Sequence, residues 1–238
     1  MQVEELKYYS NGKEFKGVLA FDETDTAPRP GVLVMPDGWG LAEFTVDQAK
    51  RLVGLGYVAL AADLYGNGLN ARDADHGRQL VGTMTADANL MRSTAKAGMD
   101  ALAASARVDA RRLAAIGFCV GGAVVLELAR SGYDCAGVVS FHGLLSTKLP
   151  AKAGDLRAKL LVCTGGSDPL IPLDHVVAFQ GEMTAAQADC QIVVYTGAQH
   201  SFTKPTAAAL PGMKYEPGSA RRAWKSMAAF LAEAFGAG

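Results

Sequence analysis

Apolar and polar positions alternate with a period of two over residues 3–9 and 14–21, on either side of Ser10-Asn11-Gly12-Lys13. This predicts an antiparallel hairpin. The pattern then changes: Gly31-Val32-Leu33-Val34-Met35 is apolar throughout, as a strand covered on both faces of a parallel sheet must be. Similar runs at 57–62, 113–116, 136–141, 159–163 and 191–195 predict further strands. Between them the apolar period lengthens to that of a helix: Val46, Ala49, Leu52 and Val53 over 44–55, with Gly56 as the stop, and Met91, Ala95, Gly98 and Leu102 over 87–105. Val176, Val177, Gln180 and Met183 follow Asp174 as a helix N-cap, and Trp224, Met227, Leu231 and Phe235 share the core-packing face of a last helix over 219–235. The polar segment from Asp63 to Met84 reads as a loop with short helical pieces. Strands that alternate with helices, without repeats or a break in composition, predict one α/β domain over 1–238: a mostly parallel, doubly wound sheet with an antiparallel N-terminal hairpin.

Composition narrows the function classes. Half of the 238 residues are hydrophobic and the formal net charge is −1, with Lys and Arg scattered. A nucleic-acid or anionic-membrane partner is therefore not expected. The apolar runs are too short to span a bilayer, and Met1-Gln2-Val3-Glu4-Glu5-Leu6 lacks the features of a secretory signal, so the expected setting is the cytoplasm. None of Cys119, Cys135, Cys163 and Cys190 stands in a C-x-x-C pair. Cys135, Cys163 and Cys190 read as buried thiols in a reducing compartment, with neither disulfide nor metal expected.

Chemistry concentrates at Gly117-Phe118-Cys119-Val120-Gly121-Gly122, which follows an apolar run and opens Ala123-Val124-Val125-Leu126. Glycines on both sides of a central residue between a strand and a helix are what a nucleophile elbow requires. Here the centre is cysteine, and a helix N-terminus favours its thiolate. The N–H of Val120 would face an oxyanion formed beside the sulfur. A glycine-rich turn around a small buried cysteine is the bland alternative. Two further residues weigh against it: Asp168 and His200 each follow a predicted parallel strand, in the chain order nucleophile, acid, histidine. Taken alone, Asp168 before Pro169 is an ordinary turn residue and His200 a surface histidine; together with Cys119 they form a Cys-His-Asp constellation, with His200 as base and Asp168 orienting it.

The elbow, together with Asp-Leu-Tyr-Gly at 63–66, Gly-Gly-Ser-Asp-Pro at 165–169 and His-Ser-Phe at 200–202, resembles the dienelactone hydrolase family of α/β-hydrolases over nearly the whole chain. The resemblance implies hydrolysis of esters or lactones by a Cys-His-Asp triad, without metal or cofactor. It implies that the N–H of Gly38 is the second oxyanion donor, and that Asp37 stands where the family places an acid, usually glutamate, against the thiol. It further implies that Lys204 occupies the position of a carboxylate-binding arginine, and that Trp39, Tyr65, Phe118 and His142 line the pocket mouth. His76 and His175 read as surface residues.

The expected function is cleavage of a small ester or lactone through an acyl-enzyme on Cys119, by a monomer or homodimer with a small-molecule substrate as its partner. Rivals are a carboxylesterase or thioesterase without lactone preference, and a non-catalytic binding or thiol redox-sensing protein on the same fold.

Overall fold

The computed structural model describes residues 1–207 and 211–236. The alternating N-terminal runs pair as β1 (Gln2–Ser10) and β2 (Lys13–Phe21), in antiparallel register from Gln2 opposite Phe21 to Ser10 opposite Lys13. Asn11 and Gly12 turn the chain at φ 50° and 76°, the left-handed conformation of a two-residue hairpin loop. The apolar runs become β3 (Arg29–Met35), β4 (Val58–Ala61), β5 (Val108–Phe118), β6 (Gly137–Phe141), β7 (Lys159–Gly165) and β8 (Cys190–Tyr195). They join the hairpin in one eight-stranded sheet of order β1-β2-β4-β3-β5-β6-β7-β8. Every neighbouring pair from β4 to β8 is parallel, and β1, β2 and β4 meet antiparallel.

Helices cover both faces of this sheet. Helices α1 (Glu43–Val53) and α6 (Pro217–Ala234) close one side, with Leu52, Ala223, Met227 and Leu231 packed against Val32, Ile116, Val139 and Leu161. On the other side lie α2 (Ala74–Ala86), α3 (Ala88–Ala103), α4 (Val120–Arg130) and α5 (Leu173–Ala185), whose core includes Met99, Leu102, Val124, Leu128 and Met183.

Three local expectations are corrected. The polar segment before Met84 folds as the thirteen-residue helix α2, which buries only Met84 and so carries no apolar stripe to read; Asp73 caps it by accepting the His76 N–H at 2.8 Å. The N-cap position of α5 is Pro172 and Asp174 lies inside its first turn. Helix α1 ends at Gly54, two residues before the glycine assigned as its stop. Cys135 and Cys163 are buried, whereas Cys190 is only partly covered, and all four cysteines are free. Among the described residues no helix is long and apolar enough to cross a membrane.

Candidate active site

Strand order decides where the chemistry can assemble. Strands β3, β5, β6, β7 and β8 are consecutive neighbours and all parallel, so the loops after them line up along one edge, where open α/β sheets place ligands. Those loops carry Asp37 and Gly38, then Cys119, His142, Asp168 and His200.

The elbow is built by close backbone approach. Cys119 stands between β5 and α4 at φ 54°, ψ −120°, a strained conformation for a residue with a side chain. A Cβ on Gly117 would strike the Gly121 carbonyl, and one on Gly121 would strike the carbonyls of Met35 and Pro36 at the end of β3. The glycines thus let α4 begin directly against β3. Among the described residues, neither the N–H of Val120 at the start of α4 nor that of Gly38 after β3 donates to a protein acceptor. The Tyr65 hydroxyl donates to the Gly38 carbonyl at 3.0 Å and steadies that loop. Burial, then the nearby Cys119 and Asp37, raises the Tyr65 pKa, so it remains a donor.

Cys119, His200 and Asp168 are brought together as the sequence predicts. His200 Nε2 lies 3.1 Å from Cys119 Sγ, and His200 Nδ1 donates to Asp168 Oδ2 at 2.8 Å. The other carboxylate oxygen of Asp168 accepts the Leu170 N–H at 2.8 Å, so both oxygens are committed. His200 and Asp168 are buried, while Cys119 remains partly accessible. Burial opposes charge on His200, but the Cys119 sulfur and the hydrogen bond to Asp168 outweigh it and push the imidazole up to about 10. The imidazole thus stands within hydrogen-bond reach of the sulfur, with Asp168 on its other nitrogen.

Four of the other site expectations are corrected. Asp37 does not turn to the thiol: its Oδ2 accepts from Lys204 Nζ at 2.5 Å and its Oδ1 from the Trp39 N–H at 3.0 Å. Lys204 is consequently no free cation for a substrate carboxylate; it is nearly buried, with its ammonium 5.3 Å from the Phe44 ring and 6.0 Å from that of Trp39. Phe118 does not line the mouth. It is 1% exposed and packs on Phe141, with ring centroids 4.9 Å apart, and on Phe44, at 5.1 Å, because the residue before the elbow points into the α1 and α6 layer. His142 is likewise 1% exposed. Its Nδ1 accepts the Cys119 N–H at 3.2 Å, which leaves the proton on Nε2 to be donated to Thr203 at 2.8 Å. Burial, then the charge on His200, holds the His142 pKa well below the ordinary value, so this ring is a neutral brace for the elbow. Trp39 is 37% exposed and Tyr65 is buried.

This sheet, with a strained cysteine-centred turn between strand and helix and a carboxylate and histidine on later strand-end loops, defines an α/β-hydrolase. The comparisons specify the class further. The dienelactone hydrolase family model matches residues 15–235, and the chain belongs to that family. It is 29% identical over 227 residues to a Yersinia pestis protein named "Putative carboxymethylenebutenolidase", covering 92% of this chain and 83% of the relative. Among solved structures, m3DLH superposes with a TM-score of 0.94 at 41% identity over 98% of each chain. A dienelactone hydrolase-like promiscuous phosphotriesterase from metagenomic libraries superposes with a TM-score of 0.92 at 36% identity, again over 98% of each chain. The protein is a hydrolase.

Proposed function

We propose that the protein hydrolyses small carboxylic esters or lactones with Cys119 as nucleophile. The observation that carries this reading is the Cys119–His200–Asp168 relay, at 3.1 and 2.8 Å, together with the unspent N–H groups of Val120, next in the chain to Cys119, and of Gly38. The thiolate attacks the substrate carbonyl, and the two N–H groups receive the oxyanion. As the tetrahedral species collapses, the C–O bond breaks and imidazolium His200 gives its proton to the departing alkoxide, leaving an acyl thioester on Cys119. His200, now neutral, takes a proton from water; the resulting hydroxide attacks the thioester, and the acid departs as sulfur leaves as thiolate.

The commitment of Lys204 to Asp37 supports neutral esters and lactones over substrates that carry a carboxylate. The likeness to a promiscuous phosphotriesterase supports a second reading, in which the same thiolate attacks an activated phosphotriester. The test is turnover of p-nitrophenyl acetate and butyrate, a neutral lactone, cis- and trans-dienelactone and a p-nitrophenyl phosphotriester by wild type and Cys119→Ala. The expected outcome is turnover of the neutral carboxyl esters, reduced by at least about 10³-fold in Cys119→Ala. Full activity in a folded Cys119→Ala protein would overturn the assignment of the nucleophile. Stoichiometric oxidation of Cys119 without turnover of any substrate would replace hydrolysis by thiol sensing.

A further inference from the structure

The turn that follows β4 is organised by one side chain. Asp63, fully buried, accepts the N–H groups of Tyr65 and Gly66 on Oδ1, at 3.1 and 2.8 Å. Its Oδ2 accepts those of Gly68 and of Lys16 in β2, at 2.8 and 3.1 Å. The Asn67 N–H adds a bond to the Glu14 carbonyl at 2.7 Å. With both oxygens of a buried carboxyl group filled by main-chain donors, the backbone around it is fixed. Gly66 takes φ 80°, and a Cβ there would strike the Lys13 side chain. Asp-Leu-Tyr-Gly therefore closes as a tight turn against the N-terminal hairpin, and Tyr65 is buried at a set position.

From that position the Tyr65 hydroxyl reaches the loop after β3, where every carbonyl from Asp37 to Leu41 accepts a hydrogen bond. The Asp37 carbonyl accepts the Gly40 N–H at 3.0 Å, and that of Gly38 the Tyr65 hydroxyl at 3.0 Å. Those of Trp39 and Gly40 accept the N–H groups of Ala71 and Ala42, at 3.1 and 2.9 Å, and that of Leu41 the Asn70 amide at 3.0 Å. The Gly38–Trp39 peptide is held at both ends, since its N–H donates to Asp37 Oδ1 at 3.0 Å. A trans peptide is planar with its C=O and N–H opposed. The bond from the Asp37 carbonyl to Gly40 thus sets the direction of the Gly38 N–H, and the clamp on the next peptide keeps it there. Position 38 must be glycine, because a Cβ would meet Val81 of α2 at 2.9 Å. Glycine is the residue least able to hold its own conformation, so the lock has to come from outside the loop.

We propose that Tyr65 is a positioning residue for hydrolysis: by clamping the Gly38–Trp39 peptide it holds the Gly38 N–H ready for the oxyanion that forms when Cys119 attacks a carbonyl. This inference rests on the hydrolytic reading above. Donors fixed in advance stabilise developing charge without reorganisation, and a glycine peptide free to rotate would lose that advantage. The hydroxyl has one proton and spends it on Gly38, so it acts through the loop and not on the substrate. Asp63 in turn holds the tyrosine. The turn after β4 thereby serves the reaction from outside the strand-end loops that carry the reactive groups.

The test compares p-nitrophenyl butyrate hydrolysis with alkylation of Cys119 by iodoacetamide, read by mass spectrometry of the Cys119 peptide, in wild type, Tyr65→Phe and Tyr9→Phe. Acylation and deacylation both pass through an oxyanion; alkylation displaces iodide from a saturated carbon and forms none. Tyr65→Phe keeps the ring and removes only the hydroxyl. Its kcat is expected to fall about tenfold with KM changed less than about twofold, while its alkylation rate stays within about twofold of wild type. Tyr9→Phe removes an exposed hydroxyl bound to Glu14 and should leave both rates unchanged. An undiminished kcat in Tyr65→Phe, or a loss of alkylation in step with hydrolysis, would overturn the proposal, while Cys119-dependent turnover by the wild type left the hydrolytic reading standing. Turnover that survives in a folded Cys119→Ala protein would overturn both.

Discussion

At the scale of single residues, the site is governed by where one proton rests. His200 is held protonated up to about 10 by the sulfur and the Asp168 carboxylate despite its burial. In the proposed mechanism imidazolium protonates the leaving alkoxide, so activity should persist through neutral pH and fall as the pH rises through that value. Removing the carboxylate's charge should move the fall downward. In Asp168→Asn the alkaline limb of the kcat profile is expected to shift by about one to two pH units toward neutrality; a limb that stays in place would assign it to another group. These residues were legible in the sequence because each stands just after an apolar run, where the fold class puts reactive loops. The partnership of Asp37 with Lys204 was not, since spacing along the chain does not reveal which carboxylate a long side chain will reach across 167 positions. Nor was the inward turn of His142, whose left-handed backbone, φ 42°, depends on the packing of two neighbouring loops.

At the scale of elements, the helix behind Cys119 is anchored by buried charge. Glu127 and Arg130 of α4 are almost fully enclosed; Glu127 accepts from Arg92 of α3 at 2.8 Å, and Arg130 pairs with Glu182 of α5 at 2.8 Å and donates to the Leu145 carbonyl at 2.7 Å. The network ties three helices together at the end of α4 remote from Cys119. Breaking one member leaves its partners charged and desolvated. Arg130→Met should therefore cost about 3–5 kcal/mol in urea unfolding, read as a lower midpoint at unchanged slope; a loss below about 1 kcal/mol would show that the network contributes no more than an exposed pair. The same scale shows what periodicity can and cannot reveal. Helices α3 and α6 bury a continuous apolar face and were legible from it. Helix α2 rests on the surface with one buried methionine, so its only local signal was the capping aspartate at its start.

At the scale of the whole molecule, the Asp37–Lys204 pair clasps the loop after β3 to the loop after β8, closing the catalytic edge across three intervening strands. Both side chains are nearly enclosed, so each depends on the other for compensation. A double-mutant cycle with Asp37→Asn and Lys204→Met should accordingly be strongly non-additive, with a coupling of about 1–3 kcal/mol. Additive losses would mean that the two groups do not stabilise each other. Overall architecture was legible because continuous apolar runs can be satisfied only inside a covered parallel sheet. The loops that finish the edge were less so, since their conformations are set by one another.

The distance along the chain between sulfur and base has a consequence for biosynthesis. His200 follows Cys119 by 81 positions, an interval that a ribosome takes about 4–16 s to translate at typical rates. During that time the nascent chain carries Cys119 without His200. The strand that brings His200 into place lies at the far border of the sheet, so the sulfur meets the imidazole only when that border docks. The order of synthesis thus leaves the pairing of Cys119 with His200 among the last contacts of the sheet to form.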